Sequence, residues 1–96
     1  MKPSAVLAPN RAFIRALVLE HGLSNPRVFC SVLRNEDSES SDLEVLVDPA
    51  PGTCLLDIAK LQMRLESDLG VIVHLARPKG LSLAIRDAVL AQAEAI

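Results

Sequence analysis

The stretch that leaves this chain least freedom is Ser41-Asp42-Leu43-Glu44-Val45-Leu46-Val47-Asp48. It is rich in β-branched and large aliphatic residues and reads as a strand. Successive side chains of a strand point to opposite faces, so Asp42 and Glu44 point the same way, about 6.6 Å apart along the strand. Leu43, Val45 and Val47 point the other way, into a core. A second apolar run, from Val28 through Leu33, predicts a neighbouring strand at about Val28–Cys30. Ser31–Asn35 fits a short helical turn, and the polar, aperiodic Glu36–Ser41 reads as an exposed loop.

The rest of the chain supplies helices to cover this sheet. Residues 1–9 read as a loosely held leader with Pro3 and Pro9 as breakers, after which Asn10 caps a helix. Its apolar stripe is Phe13, Leu17, Val18 and His21, and Gly22 stops it. Asn25-Pro26 turns the chain into the first strand. After the second strand Pro49, Pro51 and Gly52 break the chain. Thr53 then caps a long amphipathic helix with Ile58, Leu61, Leu65 and Leu69 as its buried stripe. Asp57 with Lys60, and Arg64 with Asp68, are spaced to pair along the exposed side. Gly70 releases a third strand, Val71–Ala76, with Ile72, His74 and Ala76 on one face. A turn at Arg77-Pro78-Lys79-Gly80 follows, and Ser82 caps a last helix carrying Leu83, Ile85, Val89 and Leu90. This order predicts an α/β protein of the α+β type. It has a small mixed β-sheet of three to four strands, helices packed on one face, and an open face free for chemistry.

Composition narrows the functions open to such a fold. With 96 residues the expectation is one domain, 1–96. Two Phe and no Tyr or Trp give an aliphatic core and no stacking platform for bases. A net charge of −2 argues against nucleic acid as the main partner. No apolar run reaches membrane-spanning length, and Cys30 and Cys54 fit neither a zinc spacing nor a disulfide framework. Cys54 reads as a small buried apolar group. The expected setting is cytoplasmic.

The residues around the two strands carry a resemblance. Asn25-Pro26-Arg27-Val28-Phe29, Cys30-Ser31, Arg34 and Ser41-Asp42-Leu43-Glu44 fall in the order of a family signature. That signature is Gly-Ser, a short Arg-Gly turn, then Asp-x-Asp on the next strand. In these residues the chain resembles the minimal nucleotidyltransferase family, small relatives of the DNA polymerase β palm, and the likeness runs on through Arg77-Pro78-Lys79-Gly80-Leu81. It implies the nucleotidyltransferase fold, with Asp42 and Glu44 as metal ligands and catalytic residues. Cys30, Ser31 and Arg34 would face the nucleotide triphosphate, and His74 would stand where the family has its third carboxylate. Mg²⁺, or Mn²⁺ in its place, would be the cofactor. The departures are Cys30 and Asn35 in place of glycines, Glu44 in place of Asp, and His74.

The resemblance further implies an antitoxin. It would transfer a nucleoside monophosphate, AMP from ATP, to a hydroxyl of a helical HEPN-type toxin protein. A second copy of the chain is a further partner to consider. The alternative is a catalytically impaired relative that binds a protein partner as antitoxin or assembly subunit. Ser31 or Cys30 as a hydrolytic nucleophile lacks a neighbouring base and orienting acid.

Overall fold

Helix α1 spans Pro3–Glu20 in the computed structural model, which describes residues 2–29 and 41–96. The expected loose leader is therefore helical. Pro3 sits at the start of the helix, where a missing N–H costs nothing, and Pro9 lies inside it. An interior proline removes one helical hydrogen bond. Burial of Val6 and Leu7 offsets that loss, each apolar side chain contributing about 1.5–3 kcal/mol. Asn10 does not cap the helix. Its side-chain amide donates to the Val6 carbonyl at 2.7 Å, in the turn next to the proline. Ile14, Leu17 and Val18 form the buried stripe, and Phe13 stays partly exposed.

Strand β1 covers Leu23–Val28, earlier in the chain than expected, because Leu23 and Val28 are both buried at its ends. Its pairing shifts between Ser24 and Arg27, where Asn25 takes a positive φ of 53°. Asparagine tolerates that backbone better than most residues, and Pro26, lacking an N–H, fits where the ladder is interrupted. Strand β2 is Leu43–Pro49, helix α2 Leu55–Leu69 and strand β3 Val73–Ala76. A three-residue 3-10 turn at Pro78–Gly80 leads to helix α3, Leu83–Gln92, and a two-residue strand β4, Glu94–Ala95. The sheet runs β3-β2-β1-β4. β2 is antiparallel to β1 and parallel to β3, and β4 is antiparallel to β1. This is the mixed sheet expected, with the fourth strand supplied by the chain after α3.

The core lies on one side of that sheet. Leu43, Val45, Val47 and Val73 project onto Ile14, Leu17 and Val18 of α1 and Ile58, Leu61 and Leu65 of α2. Leu69, Val71 and Leu75 pack against its margin. Thr53 does not cap α2; its hydroxyl donates to the Gly22 carbonyl at 2.7 Å, tying the entry of α2 to the exit of α1. Cys54 is the N-cap, and it is exposed rather than buried. The Asp57 carboxylate accepts from the Cys54 backbone N–H at 2.9 Å, closing the first turn, while Arg64 and Asp68 pair at 2.7 Å as their spacing predicts. The α3 stripe is not covered: none of its residues is buried, and Leu83 is 81% exposed. No described helix is long and apolar enough to cross a membrane.

Candidate functional site

Alternation along β2 sends Leu43, Val45 and Val47 into the core and leaves Asp42 and Glu44 at the opposite face. Asp42 precedes the first strand residue, and the Leu43 N–H donates to the Ile72 carbonyl at 2.8 Å, which fixes the start of β2 against β3. The parallel register then pairs Glu44 with His74. His74 Nε2 lies 2.6 Å from Asp42 Oδ2. The imidazole is 55% and the carboxylate side chain 37% exposed, so solvent reaches both. Two carboxylates and one imidazole thus share the open face at one end of the β2–β3 pair.

At the other edge of the site the Phe29 N–H donates to the Glu44 carbonyl at 3.2 Å, so the chain leaves β1 beside Glu44. Cys30, Ser31 and Arg34, and with them Asn35, lie outside the described residues. Asp42 and Glu44 share one face as the alternation predicts, and His74 lies on the open face. The direct contact between Asp42 and His74 is not predicted by the sequence. The signal for that contact was the parallel register, which is invisible until β2 and β3 are known to be neighbours.

Four residues further along β2, about 13 Å from Glu44, a second polar group gathers. Arg27 pairs with Asp48 Oδ1 at 2.6 Å, and the Asn25 amide donates to Asp48 Oδ2 at 3.1 Å. The Arg27 side chain is only 16% exposed, so this pair is more shielded than Asp42–His74. A cavity of about 230 Å³ opens beside it, lined by Asp48, Pro49, Arg77, Pro78 and Lys79. The sequence by itself predicts only a turn at Arg77–Gly80. At this end of β2 the Asp48 carboxylate is held by Arg27 and Asn25.

Carboxylate oxygens are donors for Mg²⁺ and Mn²⁺, and imidazole is a donor for later transition ions. Among the described residues no three His, Cys, Asp or Glu side chains converge on one point. Asp42 and His74 form a close pair with Glu44 flanking it across the ladder.

No protein-family model matches the chain. The chain is 34% identical over 77 residues to a candidate protein adenylyltransferase of Methanocaldococcus jannaschii, covering 80% of this chain and 83% of that protein. Among solved structures, a candidate minimal nucleotidyltransferase is 41% identical and superposes with a TM-score of 0.83, over 97% of this chain and 93% of the other. A toxin–antitoxin structure with AMP-PNP gives a TM-score of 0.76 at 22% identity, over 90% of this chain and 71% of that one. A mutant of the MntA–HpeT toxin–antitoxin gives 0.73 at 22%, over 90% and 70%. The last two likenesses establish the fold alone.

Proposed function

The chain belongs to the minimal nucleotidyltransferase family, and from that premise we propose that it transfers AMP from ATP to a hydroxyl of a partner protein. The observation that carries this reading is the grouping of Asp42, Glu44 and His74 on one solvent-facing end of the β2–β3 pair. The relative described as a protein adenylyltransferase supports AMP as the group transferred. On this reading the partner is a helical HEPN-type toxin and the chain its antitoxin.

The acceptor oxygen attacks the α-phosphorus of ATP. The bond from that phosphorus to the β-phosphate oxygen breaks, pyrophosphate leaves, and the acceptor proton passes to a base. Positioning and electrostatics supply most of the catalysis in such chemistry. A divalent cation, when bound, offsets charge on the attacking and leaving oxygens. Asp42 and Glu44 would hold it, and Ser31, with Cys30 and Arg34 nearby in the chain, would hold the triphosphate. His74 Nε2 lies against Asp42; on the family resemblance its imidazole is the group that would take the acceptor proton.

The test is incubation with ATP labelled at the α-phosphate, Mg²⁺ or Mn²⁺, and a helical toxin partner. Label should move to the partner, and Ser31→Ala or Asp42→Asn should abolish the transfer. No transfer under any of these conditions would refute it.

A second reading keeps the fold without chemistry: an antitoxin that works by contact. The uncovered stripe of α3, with Leu83 and Ile85 exposed, favours it. Partner binding unaffected by Asp42→Asn, together with no binding of Mg·ATP by calorimetry, would select it.

A further inference from the structure

We infer that the cavity at the carboxyl ends of β2 and β3 is an oxyanion site, holding one phosphate or diphosphate group between the Arg77 guanidinium and the Lys79 ammonium. The inference does not depend on the nucleotidyltransferase reading, because the Asp48 end of β2 lies about 13 Å from Glu44.

The charges around this cavity do not balance. It is lined by Asp48, Pro49, Arg77, Pro78 and Lys79. Both oxygens of the Asp48 carboxylate are engaged from β1, Oδ1 by Arg27 at 2.6 Å and Oδ2 by the Asn25 amide at 3.1 Å. Arg77 and Lys79 arrive from the other side of β2, after β3. Among the described residues no carboxylate pairs with either of them. Arg77 is half-buried, and a partly desolvated cation without a counterion is unfavourable until an anion completes it.

The backbone holds the two cations in place. β2 and β3 run parallel, so both chains leave the sheet at this end, and ligands of parallel strands sit outside their carboxyl ends. The turn after β3 is closed by the Gly80 N–H, which donates to the Arg77 carbonyl at 2.9 Å. Arg86 of α3 supports the same turn, its Nη2 donating to the Leu81 carbonyl at 3.0 Å and to the Lys79 carbonyl at 3.4 Å. The Arg77 guanidinium lies over Gly80, where an added Cβ would stand 4.0 Å from Nη2.

The cavity measures about 230 Å³, below the range of about 300–1,000 Å³ for sites that enclose drug-sized ligands. It therefore suits a phosphate or diphosphate group and leaves any attached nucleoside outside. A guanidinium offers a planar fork to two phosphate oxygens, and an ammonium adds a point charge.

The experiment titrates the full chain with inorganic phosphate, pyrophosphate and AMP, without metal and at low ionic strength, where screening is weakest. Calorimetry gives affinities, and amide NMR shifts locate the site. Binding should be saturable, with shifts at Asp48, Arg77, Lys79 and Gly80 and none at Asp42, Glu44 or His74. Phosphate or pyrophosphate bound there assigns the site to free phosphates, whereas AMP alone assigns it to a phosphate carried on a nucleoside. Arg77→Gln should weaken binding by about 10-fold or more, the scale of a hydrogen bond to a charged group. Lys79→Gln, which removes an exposed point charge, should weaken it by about 2–5-fold. Arg77→Lys keeps the charge without the fork and should fall between the parent and Arg77→Gln. Circular dichroism checks that the variants fold. No saturable binding of any of the three anions, shifts centred on Asp42 and Glu44, or parental affinity in Arg77→Gln would overturn the inference. Labelled-ATP transfer is scored separately, and its failure would remove the enzymatic reading alone.

Discussion

His74 Nε2 and Asp42 Oδ2 meet at 2.6 Å across the start of the parallel β2–β3 pair, 32 positions apart in the chain. An exposed polar contact of this kind adds about 0–1 kcal/mol to stability. Its value lies in what it orients, and the contrast between stability and activity is the measurable consequence.

Asp42→Asn should therefore leave thermal stability within a few tenths to about 1 kcal/mol of the parent, while abolishing transfer of labelled AMP. Differential scanning calorimetry and the transfer assay, run on the same sample, check both halves. A large loss of stability would mean that Asp42 is structural.

Gly22→Ala should destabilise the fold by about 1–3 kcal/mol. Gly22 has a φ of +80°, and an added Cβ would lie 2.9 Å from the Thr53 hydroxyl oxygen. That hydroxyl donates to the Gly22 carbonyl at 2.7 Å, so the substitution strains the backbone and disturbs the tie between α1 and α2 together. Urea unfolding measures it; a neutral result would contradict the geometry of this turn.

Leu61→Ala should cost about 2–5 kcal/mol, because Leu61 is fully buried between α2 and the sheet. Leu83→Ala should cost the isolated chain less than about 0.5 kcal/mol, since the side chain is 81% exposed. If α3 forms the contact with a partner protein, Leu83→Ala should instead weaken that complex, which calorimetric titration detects.

Asp57 introduces a pH dependence. Its carboxylate is held below the ordinary aspartate range, first by the Cys54 backbone N–H and then by the Cys54 side chain. A folded-state pKa below the unfolded one means stability that is present above the unfolded value of about 3.9 and is lost as pH falls through the folded value. The gap in melting temperature between the parent and Asp57→Asn should thus be widest near neutrality and close as pH drops below 4. A gap that stays constant to pH 3 would exclude this linkage.

The alternation at Leu43, Val45 and Val47 and the helical spacing of Ile58, Leu61 and Leu65 determined the central strand, the long helix and the face each buries. Those are local periodicities, and hydrophobic burial enforces them wherever the chain folds. The same alternation put Asp42 and Glu44 on one side, and the residues around them carried the family resemblance.

Tertiary structure decided what depended on partners far along the chain. Pro3 and Pro9 read as breakers, yet packing of Val6 and Leu7 holds a helix through both. Thr53 read as a cap, yet its hydroxyl was drawn to Gly22, 31 positions away. The first strand lies earlier than its apolar run suggested because β2 supplies ladder partners from Leu23 onward, Leu23 facing Pro49 and Ser24 facing Asp48. The meeting of His74 with Asp42 follows from a parallel register. No local pattern encodes such a register, because it is set only when a helix has carried the chain back to start a strand in the same direction.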